Sequence, residues 1–331
     1  MIDAFLGIVG SATGLYLVFG AMLGLIVGIL PALGGGAGLS LMIPFIFGME
    51  PNHAMAMAVG MLATVTTGDA ITSVLLGIPG SSSSQATVLD GFPLAKSGQG
   101  ARALSAGFLS SVFGGLIGAA LLTVTLSVSR QVILWFGVPE ILMMILFGIA
   151  SVAALSGRSL AKGVAICAFG MLAASVGFAP ATGEHRMTFG LPYLYDGLPL
   201  LACITGIFVV PEIVDLVRQN RRISERTTLG VGSRQGIVDV LRNKWLVVRS
   251  AGMGCLVGAI PGVGGSVVDW IVYGQTVRSA KDKSQFGKGD IRGVIGVESA
   301  NNATLSGAMV PTLLFGVPGS GSMALLLAAL V

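Results

Sequence analysis

From Ala103 to Ser129 the chain carries no charged side chain. A helix of about 20 apolar residues crosses a bilayer, so a run of this length reads as a membrane span. The rest of the chain agrees. It is 53% hydrophobic and only 10% charged, with a mean hydropathy of +0.88. Soluble domains carry about 25% charged residues. A chain this poor in polar side chains cannot cover itself with a water-facing surface. The expected fold is an all-α polytopic membrane protein. Met1 to Ser11 holds no Lys or Arg and places Asp3 early. Cleaved leaders start basic, so this first segment reads as a retained membrane helix.

Further uncharged runs are Ile141–Gly157, Gly163–Gly183 and Gly197–Pro211, joined by short charged connections. With Ala103–Ser129 they make four expected spans. Lys and Arg collect on the cytoplasmic side of membrane proteins. Of the 19 basic residues, eight fall in Arg218–Arg249 and five in Arg278–Arg292. Both stretches are therefore expected inside. Counting back through four spans puts Lys96, Arg102, Arg158 and Lys162 inside as well, and leaves Arg130 and Arg186 alone outside.

Between the two basic stretches, Ser250–Val277 starts and ends on one side. It is too short for two full crossings, which would need about 40 residues. Its centre reads A-I-P-G-V-G-G-S. A re-entrant hairpin, broken at Pro261-Gly262, accounts for both facts. The same wording stands earlier: Gly24–Gly35 (G-L-I-V-G-I-L-P-A-L-G-G) matches Gly254–Gly265 (G-C-L-V-G-A-I-P-G-V-G-G) at six of twelve positions. A second motif recurs too, L-L-G-I-P-G-S-S-S-S from Leu75 and L-F-G-V-P-G-S-G-S from Leu314. Its two copies stand a little further apart than those of the first motif, and the extra positions fall in the region of the basic stretch Arg278–Arg292. Hairpin two is flanked by basic loops, whereas hairpin one is flanked by Asp3, Glu50 and His53. The units are therefore expected to enter from opposite sides, as inverted repeats with discontinuous helices, an arrangement typical of secondary transporters. The expected organisation is a first unit in 1–102, four connecting helices in 103–217, a basic cytoplasmic loop in 218–249 and an inverted second unit in 250–331. Packing of small residues between helices is the competing explanation for the glycines.

A helix broken at membrane depth frees backbone N–H and C=O groups, which must then meet protein, water or ligand. Freed N–H groups at a helix start suit an anion. The candidate substrate-binding residues are accordingly Pro31, Gly34, Gly35, Pro79, Gly80, Ser81, Ser82, Pro261, Gly262, Gly264, Gly265, Pro318, Gly319 and Ser320, with Asn301 and Asn302 from E-S-A-N-N-A-T. Ser83, Ser84, Thr87 and Ser322 offer further hydroxyls. Intramembrane acids default to functional roles. Asp69 is the first candidate for cation coordination or proton carriage, with Thr67, Asn301 and Asn302 beside it as coupling-ion candidates. Asp269 reads as a helix partner, and Glu298 as an interfacial residue near Arg292. Cys167, Cys203 and Cys255 are scattered and the two histidines are unpaired, so no metal site or disulfide framework is expected. The basic residues lie in loops, so no nucleic-acid partner is expected. No nucleophile elbow accompanies Ser81–Ser84, which argues against an enzyme.

At these residues the sequence resembles the large membrane subunit of the tripartite tricarboxylate transporters. The pieces that carry the likeness are G-L-I-V-G-I-L-P-A-L-G-G, L-L-G-I-P-G-S-S-S-S-Q-A-T-V-L-D-G-F-P-L-A-K-S-G, V-G-A-I-P-G-V-G-G-S and F-G-K-G-D-I-R-G-V-I-G-V-E-S-A-N-N-A. The resemblance implies a multi-pass protein of the bacterial inner membrane. It implies uptake of a small di- or tricarboxylate, driven by Na⁺ or H⁺ and needing no other cofactor. A periplasmic receptor would deliver the substrate and a small membrane subunit would complete the system. A homodimer is expected from transporter habit alone. Two departures bear on the substrate: Thr67-Gly68-Asp69-Ala70 stands where citrate-type members often read Tyr-Gly-Gly-Ser, and Gly77 stands where they often have Asn. The chain stops within the apolar run Met323–Val331, so a truncated membrane subunit without transport is one alternative. An ion or solute channel is the other.

Overall fold

The computed structural model describes residues 7–8, 10–30, 33–133, 139, 142–143, 146, 160–179, 183–195, 197–198, 214, 229–261 and 264–328. Two compact units emerge, one formed by residues 1–135 and 219–331, the other by residues 136–218.

The described secondary-structure elements of the first unit are all helices. Its elements are α1 (Ala12–Ile29), α2 (Gly34–Ile46), α3 (Pro51–Leu75), α4 (Gln85–Leu94), a π turn (Ala95–Gln99) and α5 (Gly100–Ile133). In the second unit α6 spans Leu160–Ala174. The first unit then resumes with α7 (Ser233–Arg242), α8 (Lys244–Gly258), α9 (Gly264–Ser279), α10 (Ile291–Phe315) and α11 (Gly321–Ala328). Among the described residues three stretches are long and apolar enough to cross a membrane: Ala12–Ile29, Pro51–Leu75 and Gln85–Ser129. The apolar surface these helices leave open, Leu15, Phe19, Met22 and Leu116 among it, is what lipid-facing helices present.

The broken runs are breaks in helices. One helix ends at Ile29 and the next begins at Gly34; one ends at Gly258 and the next begins at Gly264. Each pair is followed by a helix of 25 residues, α3 or α10. Each of these is followed by a Pro-Gly-Ser tip and a further helix, α4 or α11. The order of elements thus recurs, and so does the packing. Gly24 and Gly28 of α1 press on the carbonyls of Met61 and Val65 in α3. Gly254 and Gly258 of α8 press on the carbonyls of Ala300 and Thr304 in α10. The glycines correspond in the register of the first motif, Gly24 with Gly254. Their partners correspond in the register of the second, in which Leu75 stands with Leu314. Small-residue packing and motif repetition, which read as rivals in the sequence, are here the same fact: without a hydrophobic force between helices in lipid, close backbone approach drives association. Gly114 and Gly118 of α5 use the same device against Ser299 and Ala303 of α10.

Both tips open with a left-handed glycine, Gly77 and Gly316, each at φ 66°. An L side chain is strained there, and Asn tolerates it best after Gly. A Cβ on Gly77 would also stand 2.7 Å from the Phe92 ring. Backbone geometry alone thus favours glycine at position 77.

In the second unit the uncharged run to Gly183 is not one helix. The helix α6 stops at Ala174, and Gly177 (φ 108°) leads into a two-stranded antiparallel hairpin, β1 (Gly177–Ala179) with β2 (Glu184–Arg186). Phe178 pairs with His185, whose ring lies 4.5 Å from that of Tyr195. The expected spans Ile141–Gly157 and Gly197–Pro211 fall almost wholly outside the described residues, as does Cys203.

Candidate functional site

The first tip, Gly77–Ser84, folds back onto α3. A Cβ on Gly80 would stand 2.7 Å from Asp69 Cα and 2.6 Å from Thr72 Oγ1, so only glycine lets the backbone lie this close. The second tip repeats the approach, with Gly319 against Ala308 of α10 at 2.7 Å. Asp69 and Ala308 occupy corresponding positions of the two units. The two tips share a backbone path, and only the first carries a carboxylate beneath it.

Four hydroxyls knit the first tip. Ser81 Oγ donates to Asp69 Oδ2. Ser83 N donates to Ser81 Oγ at 3.2 Å, and the two hydroxyls lie 2.9 Å apart. Ser81 N donates to Ser84 Oγ at 3.1 Å, and Ser73 Oγ donates to Ser84 O at 3.3 Å. Ser82 is the member left exposed. In the second tip Ser320 Oγ accepts from Met323 N at 3.3 Å, capping α11, and Gly319 N donates to Thr312 Oγ1 at 3.1 Å.

The starts of the broken helices meet these tips. A Cβ on Gly34, the first residue of α2, would stand 3.0 Å from Ser81 Cβ. One on Gly35 would stand 3.5 Å from Ser322 Oγ, so the start of α2 touches both tips. On the other side Gly265, in the first turn of α9, faces Ser83 Cβ at 2.6 Å. The N-terminal ends of α2, α4, α9 and α11 therefore gather around the serines. Helix starts carry unsatisfied N–H groups and partial positive charge. Gly34, Gly35, Gly80, Ser81, Ser82, Gly264, Gly265, Gly319 and Ser320, read singly from the sequence, fall on or beside this gathering. Pro79 and Pro318 are half-buried in the tips, and Pro261 is buried just beyond the end of α8. Pro31 and Gly262 lie outside the described residues.

Three carboxylates stand around the cluster, and sequence reasoning placed two of them incompletely. Asp269 of α9 accepts from Ala86 N at 2.6 Å, so its carboxyl oxygen caps the start of α4. That end of α4 is already served by an internal acceptor. Its other oxygen, Oδ1, is buried without a partner, as is Oδ1 of Asp69. Glu298 does not lie on the protein surface. It is fully buried and accepts from Thr87 Oγ1 at 2.7 Å and Ser111 Oγ at 3.1 Å. Its expected neighbour, Arg292, is held instead by Asp290 at the start of α10, at 2.5 Å. Burial of a carboxylate demands such donors, and Thr87 and Ser111 supply them from α4 and α5.

Asn302 ties α10 to α3. It accepts from Thr66 Oγ1 at 2.5 Å and donates to Thr67 Oγ1 at 3.2 Å. Asn301 is buried, and its Nδ2 has no partner. The site thus offers donors for an anion (helix starts, Ser82) and unfilled oxygens for a cation (Asp69, Asp269). Among the described residues no group of His, Cys, Asp and Glu is arranged to hold a metal ion.

Sequence reasoning missed Asp90. Its Oδ1 accepts from the backbone N–H groups of Gly287, Gly289 and Asp290 at 2.7, 3.0 and 2.9 Å. Its Oδ2 accepts from Tyr273 OH at 3.0 Å. This carboxylate pins the basic loop before α10 to the helix that follows the first tip. The signal was present as a lone acid in an apolar stretch, V-L-D-G-F.

A profile of the tripartite tricarboxylate transporter TctA family matches residues 15–331. A 52.8 kDa protein of Agrobacterium vitis, described as uncharacterized and lying in the TAR-I ttuC' 3' region, is 31% identical over 323 residues, covering 94% of this chain and 62% of its own length. A second Agrobacterium vitis protein, described as uncharacterized and lying in the TAR-II ttuC' 3' region, is 37% identical over 78 residues, 24% of this chain and 32% of its own. The chain therefore spans about three-fifths of the first relative's length and a third of the second's. No solved structure matches significantly. By the extent of the profile match, the chain belongs to the tripartite tricarboxylate transporter TctA family, a family of transporters and not of enzymes.

Proposed function

We propose that the chain takes up a small di- or tricarboxylate by cation-coupled secondary transport, as the large membrane subunit of a tripartite system. A periplasmic receptor hands over the substrate, and a small membrane subunit completes the assembly in the bacterial inner membrane. The substrate carboxylate lies against the starts of α2, α9 and α11 and the serine hydroxyls. The coupling ion, Na⁺ or H⁺, is taken at Asp69, with Thr67, Asn301 and Asn302 shaping its surroundings. The two hairpins enter from opposite faces as inverted repeats, so that one gathered site faces each side in turn.

The observation that carries this reading is the meeting of four helix starts at two Pro-Gly-Ser tips, with unfilled carboxylate oxygens of Asp69 and Asp269 beside them. Anion-suited dipole ends beside cation-suited oxygens are what co-transport of a carboxylate and a cation requires. The test is uptake of labelled carboxylates into proteoliposomes holding the chain, its small subunit and its receptor, with Na⁺ and H⁺ gradients imposed separately. Saturable accumulation that follows one gradient is expected, and Asp69→Asn abolishes the dependence on that gradient. Accumulation that Asp69→Asn leaves fully gradient-dependent removes Asp69 from the coupling role. Flux that neither saturates nor responds to a coupling gradient identifies a channel.

A further inference from the structure

The helix α7 and the residues around it are not used by the transport reading. Its ten residues, Ser233–Arg242, have three faces. One packs on the start of α5. Gly236 lies against the Arg102 carbonyl, Val240 is buried beside Ala106, and Asp239 forms an ion pair with Arg102 at 2.6 Å. Ser105 Oγ also donates to Ser233 O at 2.9 Å. The second face is apolar and open: Ile237 and Leu241 are 44% and 56% exposed, continued by Val231 before the helix and Trp245 after it at 79% and 76%. The third face is cationic, and Lys244 at the start of α8 follows it. Arg234, Arg242 and Lys244 are exposed, and among the described residues no carboxylate pairs with them.

The depth of this helix follows from its anchor. Arg102, Ser105 and Ala106 stand at the beginning of the uncharged run Ala103–Ser129, which as a helix rises about 40 Å. The hydrocarbon core is about 30 Å thick. The attachment point of α7 is therefore at the level of the headgroups, on the side that holds the basic loops. An amphipathic helix at that level buries its apolar face among the upper acyl chains and sets its cations among headgroups. Tryptophan favours the same plane.

The geometry points to α7 as an interfacial anchor that binds anionic phospholipid: Ile237, Leu241 and Trp245 enter the acyl boundary, while Arg234, Arg242 and Lys244 hold phosphate headgroups. Charge complementarity selects the lipid over another apolar protein surface, because three cations that no described carboxylate pairs border the open face. This inference is independent of which solute is transported. A polybasic surface of this kind enriches anionic lipid by roughly fivefold per cation at most, and salt weakens the enrichment.

The test uses the full chain in vesicles of equal parts phosphatidylcholine and phosphatidylglycerol, with brominated acyl chains placed on one lipid or the other. Bromine quenches nearby tryptophan. The difference between the wild type and Trp245→Phe isolates the emission of Trp245 from that of Trp135 and Trp270. Quenching is expected to be several-fold stronger when bromine is on phosphatidylglycerol. The preference disappears in the triple variant R234Q/R242Q/K244Q and is retained in R234K/R242K, which keeps the charge and controls for folding. Equal quenching by the two brominated lipids in the wild type overturns the proposal. Absence of quenching by either also overturns it, and shows that protein covers the face.

Discussion

Replacing Gly80 by alanine tests the tip in the most direct way. The new Cβ would stand 2.6 Å from Thr72 Oγ1, 2.7 Å from Asp69 Cα and 3.0 Å from Asp69 Cβ. Ordinary contacts of this kind are about 3.5–4.0 Å, so tip and helix must part by roughly 1 Å. The Thr72 hydroxyl is fixed by its bond to Asp69 O at 2.9 Å, and the Asp69 atoms belong to α3 itself, so the tip must do most of the moving. Overpacking of this size costs about 1–3 kcal/mol. The neighbouring residue, Ser81, is the donor to Asp69 Oδ2, and the other oxygen of that buried carboxylate has no partner. Loss of the bond leaves both oxygens unserved, at about 1–3 kcal/mol more. Misplacement of binding groups by about 1 Å reduces turnover by about 100-fold. Gly80→Ala is therefore expected to lower the unfolding temperature in detergent and to cut gradient-driven carboxylate uptake by one to two orders of magnitude. The control is the same chemical change at Gly252 in α8, where a Cβ meets nothing within 4 Å. There alanine is expected to be neutral or to stabilise by up to about 1 kcal/mol through helix propensity. Gly80→Ala protein with wild-type melting and uptake within twofold of wild type would refute the close approach of tip to helix.

Other expectations follow from the same contacts. Glu298→Leu leaves the Thr87 and Ser111 hydroxyls buried without their acceptor, and a loss of about 1–3 kcal/mol is expected in thermal melts, with Glu298→Gln milder because its carbonyl still accepts. Asp90→Ala removes the acceptor of three loop N–H groups; trypsin is expected to cut at Lys288 faster than in wild type, and an unchanged cleavage rate would count against the latch. The Arg102–Asp239 pair is partly exposed, so a double-mutant cycle is expected to return a coupling of about 1 kcal/mol or less, shrinking as salt is raised.

Much of this arrangement was legible in the chain. The breaks near Pro31 and Pro261, the long helices after them and the two tips follow from glycine and proline interrupting apolar runs. The registers of the two repeated motifs are also the registers in which glycines meet carbonyls, Gly24 on Met61 and Gly254 on Ala300. What was not legible depends on contacts between distant segments. Nothing local to E-S-A-N-N says that Glu298 will be fully buried rather than paired with Arg292; that is decided by the hydroxyls of Thr87 and Ser111, far away in the chain. Asp269 looked like a helix partner, but its target, the N–H of Ala86, became visible only once α9 lay beside α4. The end of α6 at Ala174 was hidden because an uncharged run does not distinguish a helix from the short hairpin that Gly177 begins. The amphipathic α7 was folded into a loop on account of its charges, and its apolar positions Ile237, Val240 and Leu241 were the unused signal.

The most direct measurement of the central claim, that the gathered tips are where the carboxylate sits, is protection of Ser82. It is the exposed member of the first tip. In a background free of Cys167, Cys203 and Cys255, Ser82→Cys is alkylated by a membrane-permeant thiol reagent while carboxylate and coupling cation are titrated. The account predicts that the alkylation rate falls in proportion to occupancy when a transported carboxylate and the cation are both present, and that a carboxylate that is not transported leaves it unchanged. An alkylation rate unaffected by a carboxylate that the same protein accumulates would place the binding site elsewhere and contradict the account.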